Sequence, residues 1–153
     1  MVYVDESGIE ETIHRQDARS ERGQPVFAQV KGKKARRVNL IAGWLQKKLL
    51  APCVFNRYID SSGFNFWLEH HLLPQLSSPG YTIIVDHARF HQSPQTRELV
   101  AKAQCQLVFL PPYSPDLNPI ENWWAIIKTK LKALLPQFED FNQALDYLLT
   151  VYL

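Results

Sequence analysis

The chain has 153 residues, a formal net charge of +2 and 46% hydrophobic residues. This length suits one domain with a proper core, and the hydrophobic content excludes a mainly disordered protein. No apolar run approaches the roughly 20 residues that span a bilayer, and the first residues lack the features of a signal peptide. We therefore expect a soluble, cytoplasmic protein that makes no membrane contact.

The first predicted strand is short and leads directly into a carboxylate. Residues 1–4 have a strand pattern and run into Asp5, after which Gly8 indicates that the chain turns away. Residues 10–35 are polar and contain Gly and Pro, which predicts a loop with at most a short strand near residues 26–30.

Two further strands should form an antiparallel hairpin, and a helix should follow them. Residues 38–42 and 49–58 have strand patterns and are separated by a short turn. Ser61 or Ser62 can cap an amphipathic helix whose apolar residues recur at helical spacing until Pro74 interrupts it.

The second half of the chain alternates strands and helices. Residues 81–85 and 106–110 predict two buried strands, with a helix from Ser93 between them, so the strands should be parallel. Helices after Asn118 and at residues 138–151 complete the chain. This order predicts a single domain, residues 1–153, with an RNase H-like α/β fold: a mixed five-stranded sheet with helices on both faces.

Three carboxylates occupy positions that this fold would bring together. Asp5 ends the first strand, Asp86 ends the fourth, and Glu121, after 34 intervening residues, lies at the start of the long closing helix. The first and fourth strands are neighbours in such a sheet, so the carboxylates could bridge two divalent ions about 3.5–4 Å apart. That arrangement indicates a nuclease or polynucleotidyl-transferase site.

Each carboxylate also has a structural interpretation. Asp5 can be a polar strand end, whereas a charge at the buried strand end of Asp86 costs free energy unless it is paired or coordinated. Asn118 and Glu121 nearly match a capping box, in which Glu121 would bond back to the helix start. Against that, Glu121 shares one helix flank with Lys128, which favours a ligand beside a phosphate contact.

Histidines and cations surround these positions. His87 and His91 suit structural hydrogen bonds, and His91 could instead orient Asp86 or touch substrate phosphate. The basic segment between Arg15 and Arg37 carries eight cations against two acidic residues, and it either meets phosphates or is a solvated connection. The predicted DNA contacts are Lys31, Lys33, Lys34, Arg36, Arg37, Arg89, His91, Lys128 and Lys132.

Three blocks of sequence carry a family resemblance. They read Val-Asp-Glu-Ser-Gly from Val4, Val-Asp-His-Ala-Arg-Phe-His from Val85, and Leu-Pro-Pro-Tyr-Ser-Pro-Asp-Leu-Asn-Pro-Ile-Glu-Asn-Trp-Trp from Leu110. Together they resemble the blocks of DDE transposases of the Tc/mariner superfamily, specifically its bacterial insertion-sequence branch. The third block is highly specific, because such a proline-rich run has little chance of arising as a generic loop and cap.

The resemblance implies a catalytic triad and its cofactor. It assigns Asp5, Asp86 and Glu121 as catalytic ligands of two Mg²⁺ ions, with Mn²⁺ as a substitute. It implies Mg²⁺-dependent DNA strand cleavage and strand transfer in the cut-and-paste transposition of an insertion sequence. The position after the second Asp, usually Asn in this family, is His87 here, which bears on the surroundings of Asp86.

The resemblance also implies partners. They are double-stranded DNA, both transposon ends and target, and a second copy in a homodimer on DNA within the bacterial nucleoid. Family members carry helix-turn-helix DNA-binding domains before the first catalytic strand, so we expect an upstream-frame helix-turn-helix partner or fusion. Two alternatives stay open: a catalytically idle fragment that binds DNA or dimerises and so regulates transposition, and a standalone RNase H-like nuclease.

Overall fold

The computed structural model describes residues 1–10, 37–76, 79–112 and 114–152. The strand predicted near residues 26–30 and four of the predicted DNA contacts (Lys31, Lys33, Lys34 and Arg36) lie outside these ranges. The strands are β1 (Val2–Glu10), β2 (Arg37–Leu45), β3 (Lys48–Phe55), β4 (Thr82–Val85) and β5 (Gln106–Phe109). The α-helices are α1 (Ser61–Trp67), α2 (Pro94–Lys102), α3 (Ile120–Leu134) and α4 (Phe141–Tyr152).

The five strands form one mixed sheet in the order β3-β2-β1-β4-β5. β1, β2 and β3 pair antiparallel, whereas β4 pairs parallel to both β1 and β5. The predicted hairpin, the parallel pair and the adjacency of the first and fourth strands are confirmed. This is the topology of the predicted RNase H-like fold, and it places the end of β4 beside the first half of β1.

The first strand is longer than the sequence predicted. β1 continues through Gly8, which pairs with Asn39, and ends at Glu10 opposite Arg37. The turn predicted at Gly8 was therefore wrong, and so was the placement of Asp5 at the strand end, because Asp5 lies inside β1. A side chain at this position would meet the guanidinium group of Arg37, so the glycine makes room for a neighbouring strand's cation.

Two helix starts also differ from the prediction. The Asp60 side chain, not Ser61 or Ser62, caps α1 by accepting a hydrogen bond from the Gly63 backbone N–H at 2.8 Å. At α3 the Asn118 side chain caps nothing, since its buried Oδ1 has no hydrogen-bond partner. The capping-box interpretation of α3 was therefore wrong, and Glu121 does not have that structural role.

Two apolar layers cover the sheet. One face packs against α1 and α2 through Phe64, Trp67 and neighbouring aliphatic residues. The other face packs against α3 and α4 through residues such as Trp124 and Leu145. α1 continues beyond Trp67 as a π-helical turn (Leu68–Leu72) and a 3-10 turn (Leu73–Gln75). Within the described ranges, no helix is long and apolar enough to cross a membrane.

Candidate active site

An open cleft of about 450 Å³ lies where the first half of β1 and the end of β4 meet the start of α3. All three predicted carboxylates line it. The lining residues are Asp5, Asp86, His87, Ala88, Leu110, Pro111, Pro112, Ser114, Asn118 and Glu121. The proline-rich segment before α3 forms one wall, so its rigid backbone contributes the shape of the cleft.

The position of Asp5 follows from the alternation of side chains along β1. Val2 and Val4 lie in the core beneath α1 and α2, so Asp5 points to the opposite face, towards α3. There its Oδ2 accepts a hydrogen bond from the Trp124 indole N–H at 2.8 Å. The ring of Trp124 is buried, so this contact joins a charged site to the core of the α3 face.

Asp86 and Glu121 reach the cleft from different elements. Asp86 directly follows β4, which runs parallel to β1. Glu121 lies in the first turn of α3, which packs on β1. Both side chains are exposed to solvent. Residues far apart in sequence thus come together because the sheet places β4 beside β1 and the helix crosses back over β1.

The electrostatics of Asp5 are unfavourable without a cation. Burial, reinforced by the negative charge of Glu121, raises the pKa of Asp5 from 3.8 to about 7. The hydrogen bond from Trp124 acts in the other direction, because it stabilises the ionised carboxylate. A positive charge in the cleft would remove the repulsion between Asp5 and Glu121.

The donor set suits a hard divalent cation, because all three groups are carboxylate oxygens. The raised pKa of Asp5 is a further sign of fit, because burial and then the negative charge of Glu121 disfavour its ionised form, and a cation in the cleft would offset both effects. As the side chains stand, no three His, Cys, Asp or Glu residues in the described part of the chain converge closely enough to hold a metal ion.

A second arrangement of charged groups stands beside the cleft. His91 is 2% exposed and lies between two carboxylates: its Nδ1 is 2.7 Å from Asp86 Oδ1, and its Nε2 is 3.0 Å from Glu6 Oε1. Burial alone would lower the pKa of His91, but the two carboxylates outweigh it and raise the pKa to about 9. The hydrogen bond from His91 lowers the pKa of Asp86 despite partial burial, whereas burial raises that of Glu6.

The described DNA-contact candidates divide into surface and buried groups. Arg37, Arg89, Lys128 and Lys132 are exposed. The two lysines line a smaller cleft of about 240 Å³ between the end of β1 and α3. His91 is different, because its ring is buried and both nitrogens contact carboxylates, so this arrangement leaves it no surface from which to touch DNA.

Sequence reasoning missed two partners of the site. Glu6 was given no role from the sequence, although its position one residue after Asp5 places it on the opposite sheet face, where it meets His91. The Trp124 ring lies in the core, and nothing in the sequence indicated its contact with Asp5. The alternation of β1 could have indicated Glu6, whereas no local signal identifies the donor to Asp5.

Comparison with known proteins places the chain in a family. Residues 1–144 match the family model described as DDE superfamily endonuclease. The chain is 41% identical over 46 residues to the uncharacterized protein y4pE/y4sA of Sinorhizobium fredii, which covers 30% of this chain and 32% of that protein.

The solved structures reinforce the fold assignment. The Mos1 transposase paired-end complex with the left transposon end matches with a TM-score of 0.71 and 16% identity over 99% of this chain. The Mos1 mariner paired-end complex with Mn matches with a TM-score of 0.65 and 16% identity, also over 99% of this chain. In both cases the chain spans 47% of the length of that protein. The RNase H-like fold is confirmed, and the chain belongs to the DDE superfamily endonucleases.

Proposed function

We propose that this chain is the catalytic domain of a transposase that cleaves DNA strands and joins the released ends to target DNA. One observation carries the proposal: Asp5, Asp86 and Glu121 come from three separate elements of a DDE superfamily endonuclease and line one cleft. No specific observation favours either alternative, the idle fragment or the standalone RNase H-like nuclease. An idle fragment would also have no need of the three carboxylates that line the cleft.

The catalytic roles follow from the positions of these carboxylates. Asp5, Asp86 and Glu121 would hold two Mg²⁺ or Mn²⁺ ions. When bound, such ions activate the attacking oxygen and stabilise the leaving oxygen of phosphoryl transfer. Trp124 fixes the orientation of the Asp5 carboxylate through its indole N–H. The prolines of the wall limit how far the cleft can deform, because they fix the backbone.

DNA would approach across the exposed cations around the cleft. Lys128 and Lys132 lie on the outer side of α3, on the helix that also carries Glu121 at its start. A phosphate backbone running along this helix would pass from the lysines to the cleft. The proposal includes further DNA contacts and partners. The basic segment between Arg15 and Arg37 would contact DNA, and the partners would be a helix-turn-helix protein or domain and a second copy of the chain.

The function is tested by DNA nicking with a matched carboxylate variant. Purified chain is mixed with supercoiled plasmid and Mn²⁺, and nicked circles are quantified for the wild type and for Asp86→Asn. We expect nicking by the wild type and its loss in the variant, because the amide keeps the shape of the side chain but not its charge. Absence of wild-type nicking, or equal nicking by both proteins, would contradict the proposal.

A further inference from the structure

Glu6 and Asp86 are linked through one buried histidine. Glu6 lies on the sheet face opposite to its neighbour Asp5, so it cannot reach the cleft from the side of α3. It instead contacts His91 Nε2 at 3.0 Å, while His91 Nδ1 contacts Asp86 Oδ1 at 2.7 Å. A continuous hydrogen-bonded path therefore runs from the second residue of the Asp5-Glu6 pair to the carboxylate at the end of β4.

The imidazole is held rigidly in this path. Its ring packs against Phe64 and Phe90, with ring centroids 4.3 Å and 4.2 Å from its own. With 2% of its side chain exposed, the ring has little room to rotate. Glu6 contacts Nε2 and so limits the remaining rotation of the ring, which keeps Nδ1 directed at Asp86.

The hydrogen bonds to Asp86 are unevenly distributed over its two oxygens. Oδ1 accepts from the Ala88 backbone N–H at 2.9 Å and contacts His91 Nδ1. Among the described residues, both contacts fall on this oxygen, which leaves Oδ2 available on a side chain that is 51% exposed at the cleft. A carboxylate anchored through one oxygen presents the other in a defined direction.

We propose that His91, oriented by Glu6, is a positioning residue that anchors Asp86 through Oδ1 and thereby presents Oδ2 to a divalent cation in the cleft. This inference rests on the proposed function of the same cleft. It assigns different roles to two adjacent residues of β1. Asp5 would contact a bound cation directly. Glu6 lies on the other face of the sheet and would influence the cation only through His91 and Asp86.

The chemistry of the site suggests a pair of variants that separates the two contacts of His91. In His91→Asn the amide nitrogen takes the place of Nδ1, so it can still donate to Asp86 but cannot reach Glu6. In His91→Gln the longer side chain places its amide nitrogen near the position of Nε2, so it can reach Glu6 but not Asp86. A merely structural role would make the two variants behave alike.

The measurement is Mn²⁺ affinity by calorimetry on the chain without DNA, with plasmid nicking as a second readout. We expect His91→Gln to weaken Mn²⁺ binding about 10- to 100-fold, the usual effect of removing a group that orients a metal ligand. His91→Asn should recover most of that loss. His70→Gln is the matched control, because His70 is an exposed histidine that contacts Glu69 and Phe66 and not the residues of this path.

The outcomes separate this inference from the proposed function. Unchanged Mn²⁺ affinity in Asp86→Asn overturns both, because Asp86 would then not be a ligand. Lost affinity in Asp86→Asn with unchanged affinity in His91→Gln overturns the inference alone. Equal weakening in His91→Gln and His91→Asn also overturns it, since that result assigns His91 a general packing role. Thermal unfolding of each variant verifies that the folded protein is being measured.

Discussion

The Trp124 indole N–H donates to Asp5 Oδ2 at 2.8 Å, which ties the base of the cleft to the core beneath α3. Asp5 lies in the centre of the sheet, and Trp124 lies in the second turn of the helix that carries Glu121. This bond connects the first half of α3 to β1. It also stabilises the ionised form of a carboxylate whose surroundings otherwise favour the protonated form.

Trp124→Phe should weaken divalent-cation binding while the protein stays folded. The substitution keeps an aromatic ring in the core but removes the donor to Asp5, so the pKa of Asp5 should rise further and less of it should be ionised near neutral pH. The measurement is Mn²⁺ affinity by calorimetry. Trp123→Phe is the matched control, because its ring packs beside that of Trp124. Equal losses in both variants would show that ring packing, not the N–H, is responsible.

Cation binding should depend on pH through Asp5. Its folded-state pKa, about 7, exceeds the ordinary value of 3.8. Folded protein therefore holds a proton that unfolded protein releases, so this group's contribution to stability is lost as pH rises from about 3.8 to about 7. A bound cation must displace that proton, so Mn²⁺ affinity should rise with pH up to about 7 and then level off.

Calorimetric titrations on both sides of pH 7 measure this effect, with thermal unfolding of the metal-free chain at the same pH values. The stabilisation by Mn²⁺, measured as the increase in unfolding temperature, should grow over the range in which the metal-free chain loses stability. An affinity that stays constant below pH 7 would show that Asp5 is already ionised there.

Lys128→Ala and Lys132→Ala should each lower DNA affinity without changing sequence preference. Both lysines are exposed on α3 and line the smaller cleft next to β1. Each lost phosphate contact should reduce the slope of log affinity against log salt by about 1. Lys102→Ala, at the end of α2, is the matched control and should leave the slope unchanged. Fluorescence anisotropy with labelled duplex DNA gives the slopes.

Two glycine substitutions should change stability in opposite directions. A Cβ at Gly43 would lie 2.8 Å from Leu72 Cδ1 and 3.3 Å from Val2 Cγ1, inside the core beneath α1. Gly43→Ala should therefore cost about 1–3 kcal/mol by overpacking. At Gly63, in the first turn of α1, the nearest atom is Asp60 Oδ1 at 3.4 Å. Gly63→Ala should stabilise by about 0.4–1 kcal/mol, because it restricts the unfolded chain. Urea unfolding measures both, and equal shifts would contradict the packing at Gly43.

Patterns of hydrophobicity were sufficient for most of the fold. The apolar run at residues 81–85 and the capping Ser93 before α2 gave accurate element types, because they depend on local chemistry. The errors fell where a distant group decided the outcome. Gly8 was predicted to begin a turn but pairs with Asn39 of β2, and Asn118 was expected to be a cap but its buried Oδ1 has no hydrogen-bond partner.

The sequence by itself determined which residues could do chemistry. Asp5, Asp86 and Glu121 stand in blocks whose composition identifies them, and local patterns correctly placed Asp86 after a strand and Glu121 at a helix start. Asp5, predicted to end the first strand, lies inside it. Only the tertiary structure decided what surrounds each carboxylate. Burial of Asp5 beside Trp124 and the placement of His91 between Glu6 and Asp86 depend on contacts across 119 and 85 residues of chain. Such contacts form when the sheet and helices pack, so a local pattern can give the sheet face on which a side chain lies but does not fix its distant partner.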